Sequence, residues 1–240
     1  MAEALATLDF GPAERVVRVN GVGSDALGHD LAALPLDRVD AVLVPKVERP
    51  ADVDAVVEAL DRAGGTQVAL ILTLETPRGI LGALAITDAS PRTAALFFGP
   101  GDFTAATGGA MTPAGLAFPR AVVATAAAAV GAAAIDAPYL SDVKDGAASG
   151  KDAELARELG FSGKCVFHPA QVAPTNRAFT PTAEEVARAR TIVAAYQEGL
   201  ATGRGTAVVD GTFVAIDIVV MAERTLRIAA EAARRDGGAP

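Results

Sequence analysis

Two acidic side chains stand at or just beyond the ends of two apolar segments of the sequence. Glu75 closes VALILTLE (68–75), and Asp102 follows AALFFG (94–99) within a glycine-containing turn. Carboxylates at strand ends, without a His or Cys cluster beside them, are the oxygen ligands that Mg²⁺ prefers. The alternative is that each acid caps the following helix or pairs with Arg78, since strand-end carboxylates often serve as caps.

Two cations interrupt neighbouring apolar segments. Arg18 lies inside VVRVN (16–20), and a buried guanidinium without a partner is costly, so we expect it to face a polar site or an acid. Its planar fork suits a substrate carboxylate, whereas a salt bridge to an acid of the same fold is the structural alternative. Lys46, directly after Pro45, gives a similar but weaker signal.

The segment KCVFHPAQV contains the single cysteine, Cys165, and one of two histidines, His168. One Cys and one His do not make a zinc site, and one Cys excludes an internal disulfide. His168 precedes Pro169, where fixing a turn by hydrogen bonding competes with a role as ligand or base.

Six short apolar segments end in turn or polar residues, at 16–20, 40–45, 68–75, 94–99, 133–138 and 164–169. Nearly continuous apolar residues without alternation indicate parallel strands covered on both faces. Helical patterns lie between them, at 50–64, 118–131 and 151–160. Repeated βα units predict an α/β fold, either a (β/α)8 barrel or a doubly wound sheet. The second is disfavoured because no dinucleotide-type glycine fingerprint follows an early strand.

The pattern changes after the sixth strand. Residues 180–203 open with a capping box and continue as a long helix, 204–213 form a glycine-containing turn region, and 216–235 are helical again. We therefore expect a barrel domain at 1–179 and a C-terminal helical segment at 180–240, packed on the barrel or on a neighbouring subunit. Six strands are too few to close an eight-stranded barrel.

The composition limits the class of partner. With 21 Lys and Arg against 29 Asp and Glu, the chain has a net charge of −8, and no basic stripe favours nucleic acid. The N-terminal residues show no secretory signal, and the apolar run at 126–135 is too short to span a membrane. We expect a cytoplasmic protein that binds neither nucleic acid nor membrane.

The order of motifs VRVN, PKVE, LETPRGI, FGPGD and LGFSGKCVFHPAQV, followed by AFTP, resembles the citrate lyase beta-subunit-like proteins of the HpcH/HpaI aldolase/citrate lyase superfamily. The resemblance implies a TIM-type (β/α) barrel assembled as a trimer or hexamer. It also implies Mg²⁺-dependent cleavage of a carbon–carbon bond in a hydroxyacyl-CoA thioester, such as citryl-, malyl- or citramalyl-CoA. An α-keto acid or an acetate-derived fragment is released.

The same resemblance implies roles for individual residues. The family's metal-binding acids fall on Glu75 and Asp102, its substrate- and transition-state-binding arginine falls on Arg18, and its Pro-Lys lysine falls on Lys46. Glu75 also lies against the substrate in that family.

Two departures from the family pattern favour an alternative. We expect the family's first two strands to be missing from this chain, and the family's C-terminal catalytic Asp, a proposed base, falls on Ala215. Asp217 takes that role only if the turn shifts by two residues. The alternative is a catalytically impaired barrel that binds keto acid or CoA ligands, or assembles with a complete homologue.

Overall fold

A computed structural model describes residues 1–235, which form two compact units that divide between Val172 and Ala173. The boundary predicted between 179 and 180 lies later, at the end of a helix that spans this division. The two units are described separately below.

The first unit is built on one parallel sheet. Its strands follow the chain order without a crossover: β1 (Val16–Arg18), β2 (Ala41–Val44), β3 (Ala69–Leu74), β4 (Thr93–Phe98), β5 (Ala133–Asp136) and β6 (Gly163–Lys164). This sequential parallel order matches a portion of a (β/α) barrel and excludes the strand order of a doubly wound sheet. The sixth strand is much shorter than the predicted 164–169, because pairing with β5 ends at Lys164.

Helices connect the strands at the predicted places. The first unit contains α1 (Ala2–Thr7), α2 (Asp25–Ala33), a 3₁₀ turn (Leu36–Arg38), α3 (Pro50–Arg62), α4 (Pro77–Leu81), α5 (Ala83–Asp88), α6 (Pro100–Thr107), α7 (Pro113–Val130), α8 (Gly146–Glu158) and the beginning of α9 (Pro169–Phe179). The predicted helix at 50–64 is confirmed as α3, whose buried Val53, Val56 and Leu60 form one face.

The two faces of the sheet differ, so the prediction of strands covered on both faces is only partly right. On one face Val42, Leu72 and Leu96 are completely buried. The other face has a small core of Ala41, Ile71 and Ala95, flanked by partly buried apolar side chains. Strands β1 and β5 consequently alternate between more and less buried residues.

Helix α7 has the length and hydropathy of a membrane span, and it alone does so among residues 1–235. It packs against β4 and β5, and its Arg120 is buried. An ion-paired arginine on the sheet-facing side identifies α7 as a core helix of this unit.

The second unit contains the end of α9, two long helices and a hairpin: α10 (Ala183–Ala201), β7 (Ala207–Val209), β8 (Thr212–Val214) and α11 (Ile216–Arg235). The predicted capping box is present, since Thr182 and Glu185 exchange side-chain-to-backbone hydrogen bonds at the start of α10. The region predicted as a plain turn is instead an antiparallel hairpin. Its Val209 and Val214 are buried with Val219 in a small core.

Candidate functional site

Glu75 follows β3 at the carboxyl edge of the sheet. Its half-buried carboxylate accepts a hydrogen bond at Oε1 from the backbone N–H of Lys46, at 2.9 Å. The N-cap of the following helix α4 is Thr76, whose hydroxyl accepts from the N–H of Gly79. The alternative in which Glu75 caps that helix is therefore wrong.

Asp102 lies in the first turn of α6, beyond the end of the adjacent strand β4. The N-cap of this helix is Gly99, so Asp102 is not the capping residue. Its Oδ2 lies 3.0 Å from Nζ of Lys46. The alternative pairing with Arg78 is replaced by an ion pair with Lys46.

Lys46 therefore contacts both acids, one through its main chain and one through its side chain. Its φ of 54° is in the left-handed region, which residues other than glycine adopt uncommonly. Among residues 1–235, Asp210 is the other residue besides the glycines with this backbone. Backbone of this kind is often found at functional sites, and here it occurs where Glu75 and Asp102 converge.

The charges of this cluster act on one another. Burial raises the pKa of the Glu75 carboxyl; the N–H of Lys46 opposes this shift, and the negative charge of Asp102 adds to it. The hydrogen bond and charge of Asp102 raise the pKa of the Lys46 ammonium. The positive charge of Arg18 opposes both of these increases in pKa. This guanidinium is therefore within electrostatic reach of the cluster.

Arg18 ends β1 and is exposed, whereas the preceding Val17 is buried. Alternation along this strand turns Arg18 away from the apolar core, so its guanidinium is not buried without a partner. Its exposure leaves the donors of the guanidinium accessible to an anionic ligand.

A third strand-end acid belongs to a different cluster. Asp136 is completely buried and accepts two hydrogen bonds from Arg120, at 3.0 and 2.9 Å. Nζ of Lys164 lies 2.6 Å from Oδ2 of Asp136 and 2.6 Å from Oδ2 of Asp152. Burial lowers the pKa of Arg120, but the charges of Asp136 and Asp152 outweigh it, and the pKa is raised. This group of four charges ties α7 and α8 to β5 and β6.

The remaining candidates are His168, in the first unit, and Asp217, in the second unit. Nδ1 of His168 accepts a hydrogen bond from the N–H of Ala170 at 3.1 Å, which confirms the predicted turn. Asp217 is exposed in the first turn of α11, in the second unit. Ala215 immediately precedes that helix, and its carbonyl accepts from the N–H of Val219.

Gly99 is a site residue whose role the sequence suggested only indirectly. A Cβ placed on it would collide with Cβ of Glu75 and lie 2.8 Å from Glu75 Oε2. Its only sequence signal is the Gly-Pro-Gly stretch that directly precedes Asp102. In the structure, this glycine makes room for the neighbouring acid.

The residues present fit a Mg²⁺ ion that keeps most of its water. Across residues 1–235 there is no group of three or more His, Cys, Asp and Glu side chains arranged for a metal. Two carboxylates that already share a cationic partner suit Mg²⁺, which typically takes one or two protein carboxylates and completes its shell with water and substrate oxygens.

Comparison with known proteins finds similar sequences. The chain is 35% identical over 224 residues to a (3S)-malyl-CoA thioesterase of Cereibacter sphaeroides, covering 92% of this chain and 76% of the relative. It is 29% identical to the citrate lyase subunit beta of Leuconostoc mesenteroides, and the match covers 95% of this chain and 78% of that relative.

One solved structure is similar to this protein over most of the length of both chains. Protein CitE from Mycobacterium tuberculosis, in complex with magnesium, acetoacetate and coenzyme A, matches with a TM-score of 0.75 and 29% identity, covering 95% of this chain and 83% of that one. The family model described as HpcH/HpaI aldolase/citrate lyase matches residues 1–169. The chain therefore belongs to the HpcH/HpaI aldolase/citrate lyase family.

Proposed function

We propose that this protein is a Mg²⁺-dependent lyase that cleaves a carbon–carbon bond in a hydroxyacyl-CoA thioester of the citryl-, malyl- or citramalyl-CoA type. The observation that supports this most directly is the convergence of Glu75 and Asp102 on Lys46 at the carboxyl edge of β3 and β4. In parallel α/β barrels this edge is where catalytic residues lie.

Glu75 and Asp102 are the proposed ligands of Mg²⁺, which when bound polarises the oxygen atoms of the substrate. Arg18 is exposed and within electrostatic reach of Glu75. Its planar guanidinium suits the carboxylate of the substrate or of the keto-acid product, and it stabilises negative charge that develops during cleavage. Lys46 and Glu75 complete the proposed substrate-binding set.

Cleavage also needs a base that removes the proton of the substrate hydroxyl, a contribution typically worth about 10²- to 10⁴-fold. Asp217 is the proposed base, because Ala215 has no group that accepts a proton. We expect the protein to work as a cytoplasmic homo-oligomer, a trimer or hexamer.

A second candidate function is ligand binding with little turnover. It is favoured by Ala215 at the position of the family's catalytic acid. In this case Arg18, Glu75 and Asp102 hold a keto acid with Mg²⁺, and cleavage is slow or depends on a complete homologue.

Product analysis separates these functions. The purified protein is incubated with malyl-CoA or citramalyl-CoA, with Mg²⁺ or with EDTA, and the products are followed by mass spectrometry. Carbon–carbon cleavage yields a keto acid and acetyl-CoA, whereas thioester hydrolysis yields free CoA and the intact hydroxy acid. We expect Mg²⁺-dependent formation of the keto acid.

Two variants make the assay specific to the site. Glu75→Gln should abolish the Mg²⁺-dependent product, and Glu58→Gln, which neutralises an exposed acid on α3, should not. Hydrolysis products alone would contradict the lyase function. Tight keto-acid binding without turnover would favour the second candidate.

A further inference from the structure

Lys46 contacts both of the acids that were assigned to the metal. Its Nζ lies 3.0 Å from Oδ2 of Asp102, and its N–H donates to Oε1 of Glu75 at 2.9 Å. One residue therefore supplies a positive charge to one carboxylate and a hydrogen bond to the other. These are interactions that a divalent cation would replace or share.

The two contacts of Lys46 differ in how easily they can be broken. The side chains of Lys46 and Asp102 are 60% and 44% exposed, so their ion pair is in contact with water and readily exchanged. The hydrogen bond to Glu75 comes from the backbone, held by a φ of 54°. The ammonium is on a flexible four-carbon chain and can leave without disturbing that backbone.

We propose that the Lys46 ammonium is an internal counter-cation that Mg²⁺ displaces from Asp102, and that the released ammonium then faces the anionic substrate. This inference rests on the Mg²⁺ site of the proposed function. In the metal-free protein the ammonium neutralises Asp102. When the metal binds, the backbone N–H continues to hold Glu75, while the ammonium becomes available to a substrate carboxylate.

Two consequences distinguish this exchange from a fixed structural ion pair. The affinity for Mg²⁺ is lowered by competition from Lys46, so removing the ammonium tightens metal binding. The environment of the Lys46 side chain changes when the metal binds, whether or not substrate is present. In a fixed pair the environment of the Lys46 side chain stays unchanged, and removing the ammonium alters Mg²⁺ affinity only by the general effect of losing a nearby positive charge.

The first test compares Mg²⁺ affinity by titration calorimetry in wild type, Lys46→Met and Arg78→Met. Methionine keeps an unbranched apolar chain without the charge. Arg78 is an exposed cation of α4, three residues after Glu75, and controls for the loss of one positive charge near the site. Because exposed ion pairs are weak, we expect Lys46→Met to lower the dissociation constant by about two- to fivefold, and Arg78→Met to have a smaller effect.

The second test observes the lysine directly. The chain has only four lysines, Lys46, Lys144, Lys151 and Lys164, so the Cε and Hε signals of ¹³C-lysine-labelled protein can be resolved and assigned with Lys46→Arg. During Mg²⁺ titration, the Lys46 signal should move toward that of an unpaired lysine, with the same midpoint as the calorimetry. The Lys164 signal, from a fully buried ion pair, should stay unchanged.

An unmoved Lys46 signal at saturating Mg²⁺, or unchanged or weaker Mg²⁺ binding by Lys46→Met, would overturn the exchange while leaving the metal site intact. Absence of Mg²⁺ binding by the wild-type protein would overturn the metal site itself and the exchange with it. The two failures are therefore distinguished by the wild-type titration.

Discussion

Gly99 leaves the space that the side chain of Glu75 fills. A methyl group at Gly99 would lie 2.8 Å from Oε2 of Glu75 and would collide with its Cβ. We expect Gly99→Ala to displace the carboxylate and to weaken Mg²⁺ binding by about tenfold or more, which is the usual cost of disturbing the groups that orient a metal ligand. Titration calorimetry measures this effect.

Gly101→Ala is the matched control, because a Cβ at Gly101 has no neighbour within 4 Å. It lies in the same helix α6, where alanine is intrinsically more favourable than glycine. We expect normal Mg²⁺ affinity from this variant. Equal affinities of the two variants would show that Gly99 is not needed to place Glu75.

The raised pKa of Glu75 predicts a pH-dependent stability difference between wild type and Glu75→Gln, measured by urea unfolding in EDTA. Burial raises the pKa of this carboxyl above its ordinary value of 4.5 in the folded protein. Its ionisation at neutral pH therefore destabilises the fold, and this cost disappears as the pH falls through the folded pKa toward 4.5.

We accordingly expect the free energy of unfolding of wild type, relative to Glu75→Gln, to increase as the pH falls from neutral toward 4.5. Glutamine retains an oxygen that accepts from Lys46 but does not titrate in this range. A difference that stays constant, or decreases, on acidification would contradict the burial of this carboxyl.

The buried charge group around Asp136 predicts a large loss of stability. Asp136→Ala leaves Arg120 and Lys164 facing the single carboxylate of Asp152. Breaking a buried ion pair in this way typically costs about 3–5 kcal/mol, because a charge stays buried without its partner. Urea unfolding provides the measurement.

Asp40→Ala is the comparison, because it removes a surface ion pair with Arg15 in which the side chain of Asp40 is 41% exposed. Exposed pairs contribute little, so we expect a far smaller loss from this variant. Comparable losses from both substitutions would show that Asp136 is not the centre of a buried network.

Exposed apolar side chains predict self-association. Phe213, Val220 and Met221 are each more than half exposed, and strands β1 and β6 are the edges of an open sheet among the described strands. Soluble proteins usually cover such surfaces. Light scattering at micromolar concentration should give the mass of a homo-oligomer, and a monodisperse monomer would contradict it.

The positions of the site acids could be predicted from sequence because parallel strands end at one edge of a sheet. The apolar runs before Glu75 and Asp102 therefore placed both at that edge. The backbone conformation of Lys46 was not predictable, because a positive φ at a lysine has no local sequence signal.

Two features of the structure, the hairpin of the second unit and the buried ion pair of Arg120, do not follow from the sequence patterns described above. The hairpin turn at Asp210 and Gly211 has positive φ at both residues, and Asp-Gly is a recognised hairpin signal. It was overlooked because each flanking strand has only three residues. The pairing of Arg120 with Asp136 joins a helix to a later strand and is set by tertiary packing, which no local pattern reports.

The central claim is that Glu75 and Asp102 together hold one divalent cation that helps bind a keto acid. A crystal soaked with Mn²⁺ and oxaloacetate tests it most directly, because anomalous scattering locates the ion. We predict a single strong peak bonded to one oxygen of each carboxylate, with oxaloacetate completing the shell and Lys46 Nζ moved away from Asp102. A peak elsewhere, or no peak between these two carboxylates at saturating Mn²⁺, would contradict the claim.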